Sequence, residues 1–274
     1  MGRLLVALLI GLLMAAPVQA ASVGGVLINY AVKGSGRTII FVHGWTCDMS
    51  SWDAQVPEFS RSYRVITIDL PGHGKTPGPA DGKFSMTLFA EAIEAVRAEV
   101  GAGKIVLVGH SMGAPVIRQY ALLHPEHVAG LVAVDGPLDM RAFPPEIARQ
   151  LPNVSGPNGM AARKTMISSM FVPTTSPQVR EHVMAMMTAA PEATAVGAQA
   201  AMFDPALQGA EVIEAPALSV YAEGGLFKVD PKTTERLPRW EGTKLAGTGH
   251  FVMMEKSAEF NALLADFLAK RAEF

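Results

Sequence analysis

Short runs of apolar residues recur along the chain and end at glycine, proline or polar residues. Runs that are apolar throughout predict buried strands, because a parallel sheet is covered by helices on both faces. The predicted strands cover residues 26–32, 38–42, 63–70, 104–109, 128–135, 217–222 and, more weakly, 242–247. Helical spacing over 85–100, 112–123 and 256–270 predicts helices between and after them. This alternation predicts an α/β fold with a mostly parallel, doubly wound sheet.

One long segment interrupts the alternation of strands and helices. Residues 136–215 are rich in methionine, alanine and proline, and they carry short helical patterns without a strand between them. We interpret this segment as a helical cap inserted into an α/β core made of residues 21–135 and 216–274. Flexible thioether side chains can line an adaptable apolar pocket. The methionines of the predicted cap are Met140, Met160, Met166, Met170, Met184, Met186, Met187 and Met202.

The first twenty residues have the pattern of a secretory signal peptide. Arg3 precedes an uncharged apolar run, and Val18-Gln19-Ala20 offers small residues at a cleavage site. The run is too short to span about 30 Å of hydrocarbon, so we expect no membrane span in the mature chain. Cleavage after Ala20 and a periplasmic or secreted location are predicted.

Composition narrows the classes of function. The 274 residues are 49% hydrophobic and 18% charged, with a net charge of −2, and they contain no basic stripe that would indicate nucleic-acid binding. Cys47 is the only cysteine, so no internal disulfide can form. The seven histidines show no paired metal-ligand spacing. We therefore expect neither a metal nor another cofactor.

The stretch VLVGHSMG, residues 106–113, holds a serine between two glycines where a strand gives way to a helix. The motif G-x-S-x-G in this setting is typical of a sharp turn that exposes a nucleophilic hydroxyl. Flanking glycines avoid clashes between the neighbouring segments of such a turn. Ser111 is therefore the candidate nucleophile, and it needs a base within hydrogen-bond reach.

Four motifs occur in the order and at the spacing of a known superfamily. They are VHGW (42–45), DLPGHG (69–74), GHSMG (109–113) and GTGHFVMMEK (247–256). With them the chain resembles the α/β-hydrolase superfamily, as a serine hydrolase with an inserted helical cap. The resemblance implies that His250 is the general base. It also implies that the backbone N–H groups of Trp45 and Met112 form an oxyanion hole.

The position of the acid that would pair with His250 differs from the superfamily's common pattern. The position after the sixth predicted strand where many relatives carry aspartate is Gly225 in this chain. Some relatives take the acid from the end of the preceding strand, which here is Asp135. Glu223 and Asp230 are the alternatives, and the sequence leaves the three open.

These residues predict hydrolysis of small to medium, apolar carboxylic esters through an acyl-enzyme on Ser111. The same constellation serves hydrolases of lactones, C–C bonds or aminoacyl amides, and perhydrolases, because a fold does not choose its substrate. A haloalkane dehalogenase is disfavoured because it needs aspartate at position 111. A ligand-binding or receptor module with little turnover is the alternative of another class. The partner is expected to be a small-molecule ester, and the oligomeric state is left open.

Overall fold

The computed structural model describes residues 20–142 and 151–274. Apart from Ala20, the predicted signal peptide lies outside the described residues, as does the 143–150 part of the predicted cap. Among the helices of the described residues, none has the length and apolar character needed to cross a bilayer.

The described strands form a small hairpin and one large sheet. The hairpin pairs β1 (Ser22–Val23) with β2 (Val26–Leu27) in antiparallel fashion. The strands of the large sheet are β3 (Tyr30–Lys33), β4 (Thr38–Val42), β5 (Arg64–Ile68), β6 (Ile105–His110), β7 (Val128–Val134), β8 (Ala217–Ala222) and β9 (Trp240–Leu245). The sheet is thus built from the apolar runs that the sequence marks.

The order of the seven strands in space is β3-β5-β4-β6-β7-β8-β9. Only β3, at one edge, runs antiparallel to its neighbour, and the other pairs are parallel. The register sets Val42 beside Gly109 and His110 beside Val134. The segments that follow β4, β6 and β7 therefore leave the sheet at the same edge, where ligands bind in open α/β sheets.

Helices cover the sheet and fill the long segment between β7 and β8. They are α1 (Val56–Phe59), α2 (Met86–Glu99), α3 (Gly113–Leu123), α4 (Gly159–Ser169), α5 (Pro177–Ala189), α6 (Glu192–Met202), α7 (Val252–Glu255) and α8 (Ser257–Lys270). The helix α2 begins where the sequence predicts, because the Ser85 side chain accepts a hydrogen bond from the N–H of Leu88 at 3.0 Å.

The core is the sheet itself, packed between helices. Every residue of β4, β6, β7 and β8 is buried, in keeping with strands that have no solvent-facing side. The helix α3 buries most of its length, including Tyr120. Because these strands are buried along their whole length, their ends are held in place. The loops that follow them, which carry the polar residues of the site, are held in place as well.

The strand predicted over residues 26–32 is broken into β2 and β3. At the break, the N–H of Ile28 donates to the carbonyl of Ala21 at 2.9 Å. The next residue, Asn29, donates its backbone N–H to the Thr76 hydroxyl at 2.9 Å and its side-chain amide to Asp69 at 2.7 Å. Asn29 therefore bonds to residues that are distant in sequence, and it belongs to neither β2 nor β3.

The helices α4, α5 and α6 lie in the segment predicted to be a cap. This segment docks on the core through buried hydrogen bonds. The Trp45 indole N–H donates to the carbonyl of Ala195 at 2.8 Å, and the Thr194 hydroxyl donates to the carbonyl of Gly72 at 2.8 Å. Both bonds join α6 to loops at the sheet edge where β4 and β5 end.

Candidate active site

Ser111 lies on the turn between β6 and α3 in a backbone conformation that is rare for a residue with a side chain. Its φ is 52°, which costs about 1–3 kcal/mol and persists only where the surroundings enforce it. The Ser111 N–H donates to the carbonyl of Val134 at 2.9 Å, and its carbonyl accepts from the N–H of Ala114 at 3.0 Å. The neighbouring strand and the first turn of α3 thus hold the serine at the helix N-terminus, whose partial positive charge favours negative charge nearby.

The two glycines of the motif are required by close backbone contacts. A Cβ on Gly109 would lie 2.3 Å from the carbonyl oxygen of Gly113, and a Cβ on Gly113 would lie 2.5 Å from that of Val42. Both contacts are with backbone, which cannot move aside as a flexible side chain does. The tight passage from β6 into α3 therefore exists only without side chains at these positions.

Strained backbone marks the site as a whole. Among the described residues, those other than glycine with a positive φ are Thr46, Ser111 and Asp135, at 55°, 52° and 42°. They follow three adjacent strands, β4, β6 and β7, at the same edge of the sheet. Strain of this kind clusters at functional sites, where the surrounding structure holds groups in defined positions.

The two predicted oxyanion donors flank the serine. Trp45 lies in the loop after β4 and Met112 directly follows Ser111, and both residues are buried. Within residues 20–142 and 151–274, neither of their backbone N–H groups donates to a backbone carbonyl. Their role as oxyanion donors stays a prediction. Trp45 also lines the cavity beside Ser111.

His250 and Asp135 are paired across the sheet edge. His250 Nδ1 lies 2.6 Å from Asp135 Oδ2, and the side chains are 17% and 2% exposed. Because an ionised carboxylate only accepts hydrogen bonds, Nδ1 carries the donated proton and Nε2 keeps a lone pair. The other oxygen, Asp135 Oδ1, accepts from the N–H of Ala222 at 2.9 Å. Asp135 thus fixes the orientation and the tautomer of the imidazole.

The carboxylates of the two other candidate acids bond to backbone N–H groups. The Glu223 carboxylate accepts from the N–H of Gly247 at 2.9 Å. The Asp230 carboxylate accepts from the N–H of Lys232 at 2.9 Å and caps a short 3-10 helix. Of the three carboxylates that the sequence leaves open, Asp135 is the one that the structure places on His250.

A cavity of about 360 Å³ opens over these residues. Ser111, Asp135 and His250 form its floor, together with Trp45. The rest of its wall is largely apolar and comes from the cap and the loop after β8: Leu151, Met166, Ser169, Met170, Phe171, Val172, Gln199, Met202, Phe203, Leu226 and Phe227. Of its described lining residues, only Asp135 and His250 are ionisable. The cavity therefore suits an uncharged, mainly apolar ligand.

Comparison with known proteins agrees with this architecture. A family model described as the alpha/beta hydrolase fold matches residues 37–158. The chain has the α/β-hydrolase fold. A solved structure described as Est816, an N-acyl homoserine lactone degrading enzyme, superposes on it with a TM-score of 0.76. It is 25% identical, over 90% of this chain and 99% of that one.

Curated relatives match this chain over shorter stretches. A non-heme haloperoxidase of Rhodococcus erythropolis is 39% identical over 110 residues, which are 40% of this chain and 39% of that protein. A pimeloyl-[acyl-carrier protein] methyl ester esterase of Aeromonas hydrophila is 35% identical over 101 residues, 37% of this chain and 38% of that protein. The matched stretch thus spans well under half the length of these curated relatives.

Three other histidines of the chain are buried, and their pKa values are lowered. Burial, together with the nearby His250, holds the pKa of His110 well below its usual range. Burial also lowers the pKa of His43, and burial with the neighbouring His43 lowers the pKa of His73 to about 3. Both ring nitrogens of His43 form hydrogen bonds: Nδ1 donates to the Gly44 carbonyl at 2.8 Å, and Nε2 accepts from the Leu70 N–H at 3.0 Å. These rings are structural hydrogen-bonding groups.

One group of side chains in the described part of the chain could in principle hold a metal ion. The ligand atoms of Glu94, His124 and His127 lie within 4.8 Å of one another. Glu94, however, already accepts from the Arg97 guanidinium at 2.7 and 2.8 Å and from the Tyr120 hydroxyl at 2.7 Å. A cation would have to displace these donors, so we assign none there, and the absence of a metal stays a prediction.

The residues that hold the His250 loop were not identified from the sequence. The His110 imidazole donates from Nε2 to the carbonyl of His250 at 2.9 Å. The Glu255 carboxylate accepts from the N–H of Gly249 at 2.9 Å and from the Thr175 hydroxyl at 3.0 Å. The motif GTGHFVMMEK contains Glu255, but no local pattern indicates that a threonine of the cap reaches it.

Proposed function

We propose that this α/β hydrolase cleaves carboxylic esters with small to medium, apolar acyl groups, through an acyl-enzyme on Ser111. The observation that carries the proposal is the pairing of His250 with Asp135 on the floor of an apolar cavity that also contains Ser111. That arrangement provides a nucleophile, an oriented base and a largely apolar pocket in one place. Similarity to esterases and other hydrolases supports the same class of reaction.

In the first half-reaction, Ser111 Oγ attacks the acyl carbon of the ester while His250 Nε2 takes the hydroxyl proton. Asp135 remains ionised and stabilises the imidazolium that forms. The negative charge on the former carbonyl oxygen is stabilised by the N–H groups of Trp45 and Met112. Preorganised donors of this kind each contribute about 2.7–4 kcal/mol to the barrier reduction.

Still in the first half-reaction, the tetrahedral intermediate collapses and the C–O bond to the alcohol breaks. His250 gives its proton to the departing alkoxide, which leaves an acyl group on Ser111. In the second half-reaction, water attacks this acyl group with His250 again as base, the acid is released and the serine hydroxyl is restored. No step requires a group beyond the chain, the ester and water.

The test combines covalent labelling with turnover. A fluorophosphonate probe should label Ser111 in the wild-type protein, and a panel of p-nitrophenyl esters should be hydrolysed with a preference for uncharged acyl groups. Ser111→Ala should abolish both signals, whereas Ser169→Ala, a change at another serine of the cavity wall, should leave labelling in place. A wild-type protein that is folded but neither labelled nor active would leave the binding module as the better explanation.

Lactones are a second candidate substrate class, favoured by one observation. The solved structure described as an N-acyl homoserine lactone degrading enzyme is matched over almost its whole length. A lactone is a cyclic ester, so the same atoms react, but the alkoxide stays attached to the acyl group. Including N-acyl lactones in the panel, followed by ring-opening proton release, distinguishes the two classes.

Export from the cytoplasm is proposed on the sequence pattern of residues 1–20 alone. The expected mature chain begins at Ala21. Mass spectrometry of the protein from periplasmic and culture fractions tests this, and a chain that keeps its first twenty residues in the cytoplasm would contradict it.

A further inference from the structure

The loop that carries His250, residues 247–250, follows the turn after β9 and has no regular secondary structure before α7. Loops of this kind are mobile unless their backbone groups are bonded to the scaffold. An imidazole that must stay within hydrogen-bond distance of Asp135 therefore depends on whatever holds this loop. The partners of the loop come from both the core and the cap.

From the core, the buried His110 ring donates to the carbonyl of His250 at 2.9 Å. From the cap, the carbonyl of Met170 accepts the N–H of His250 at 3.0 Å. The Thr174 hydroxyl donates to the carbonyl of Gly247 at 3.1 Å. Both backbone polar groups of His250 are thus bonded, one by each layer of the molecule.

Glu255 and Thr175 connect the cap to the loop through a continuous chain of hydrogen bonds. The N–H of Val172 donates to Thr175 Oγ at 3.0 Å, Thr175 Oγ donates to Glu255 Oε2 at 3.0 Å, and the same oxygen accepts from the N–H of Gly249 at 2.9 Å. Thr175 is 4% exposed. Successive bonds of this kind polarise one another, and those to a carboxylate are the stronger ones.

The fit at Gly249 is close. A Cβ there would lie 2.7 Å from the carbonyl oxygen of Met170 and 3.0 Å from Glu255 Oε1. The cap segment 170–175 and Glu255 therefore enclose the loop from two directions. Because Met170, Phe171 and Val172 also line the cavity, the segment that contacts a bound ligand is the segment that holds the base.

We propose that Thr175 and Glu255 are positioning residues for His250, so that the cap sets the orientation of the base as well as the shape of the pocket. The proposal rests on the proposed role of His250 as general base. It predicts that breaking the Thr175–Glu255 bond lowers kcat more than it raises KM, since a small displacement of a catalytic group slows the chemical step more than it weakens binding.

The first experiment compares isosteric variants of the cap threonine. Thr175→Val removes the hydroxyl and should lower kcat about tenfold or more, with KM within about twofold of wild type. Thr175→Ser keeps the hydroxyl and should restore most of the rate. Thr188→Val, which removes a hydroxyl that bonds only within α5, is the matched control and should behave as wild type. Rates are normalised to the fraction of sites labelled by a fluorophosphonate.

The second experiment does not require turnover. The proton between His250 Nδ1 and Asp135 should give a low-field proton NMR signal, identified by its loss in His250→Gln. The signal should weaken or shift in Thr175→Val and Glu255→Gln but remain in Thr188→Val and in Glu259→Gln, which changes an exposed glutamate of α8.

The outcomes separate this proposal from the proposed function. An inactive wild type that still shows the low-field signal and its loss in Thr175→Val contradicts ester hydrolysis and supports the positioning role. An active wild type in which Thr175→Val, correctly folded, keeps both its kcat and the signal overturns the positioning role. Equal rates for Thr175→Val and Thr175→Ser overturn it as well, even if both variants are less stable.

Discussion

Gly225 leaves the space that the carboxylate of Asp135 occupies. A Cβ at position 225 would lie 2.9 Å from Asp135 Oδ1 and 3.3 Å from Asp135 Oδ2. Many α/β hydrolases carry their acid at the position of Gly225. Here that position has no side chain, and the Asp135 carboxylate from the end of β7 occupies the space beside it. A side chain at position 225 would therefore compete with the Asp135 carboxylate for the same space.

Replacing Asp135 with asparagine should lower kcat for p-nitrophenyl ester hydrolysis by about 10⁴-fold, because the amide permits the wrong imidazole tautomer. Asp230→Asn should retain a rate near wild type, since that carboxylate bonds to the N–H of Lys232. Glu223→Gln alters one bond to the His250 loop at Gly247 but leaves the Asp135–His250 pair in place, so it should lose far less activity than Asp135→Asn. Steady-state kinetics of the three variants tests the assignment. Loss of activity in Glu223→Gln with an active Asp135→Asn would reverse it.

The relation between positions 135 and 225 predicts a non-additive pair of substitutions. Gly225→Asp alone should reduce both stability and activity, because its Cβ and its charge would crowd the Asp135 carboxylate. Asp135→Ala together with Gly225→Asp should regain part of the activity that Asp135→Ala loses. The measurement is a double-mutant cycle on kcat and on the urea midpoint. A double variant no better than Asp135→Ala would show that position 225 cannot orient His250.

The glycines around Ser111 should be intolerant even of alanine. Gly113→Ala places a Cβ 2.5 Å from the Val42 carbonyl oxygen, and relieving such an overlap costs about 1–3 kcal/mol of stability. Activity should fall too, because the turn that aims Ser111 must shift. Urea unfolding at constant m-value measures the loss. Gly103→Ala, at a glycine with no atom within 4 Å of the new Cβ, should stay within about 0.5 kcal/mol of wild type.

Stability should fall as the solution is acidified from pH 6.5 towards pH 3. Burial lowers the pKa of His73 to about 3, and it lowers the pKa values of His43 and His110 as well. In that range the unfolded chain takes up a proton at position 73 that the folded chain does not, so His73 removes about 1.4 kcal/mol per pH unit, and His43 and His110 add to the fall. Above pH 6.5 the full stabilising contribution of these neutral histidines is present.

Urea midpoints between pH 8 and pH 4 measure this slope. His73→Gln should make it shallower, whereas His182→Gln, at an exposed histidine of α5, should leave it as in wild type. A slope unchanged by His73→Gln would contradict the assignment of a buried neutral ring.

Most strands of the sheet can be predicted from the sequence, because a strand buried on both faces must be apolar throughout. The runs that form β4, β5, β6, β7 and β8 stand out for this reason, and the helix α2 begins at a recognisable serine cap. The break between β2 and β3 is not readable, since Asn29 is drawn away by Thr76 and Asp69, partners some forty residues distant.

A serine between two glycines at the end of a buried strand can be recognised along the chain, because that turn needs only local features: an apolar strand, two missing side chains and a following helix. Which carboxylate meets His250, and which residues between β7 and β8 hold its loop, depends on contacts between segments that are distant in the sequence. One of these contacts joins the end of β7 to the loop after β9, and the other joins the cap to Glu255. Both depend on the order of the strands in space, which is set by the packing of the whole sheet. No spacing along the chain encodes the 2.6 Å between Asp135 and His250.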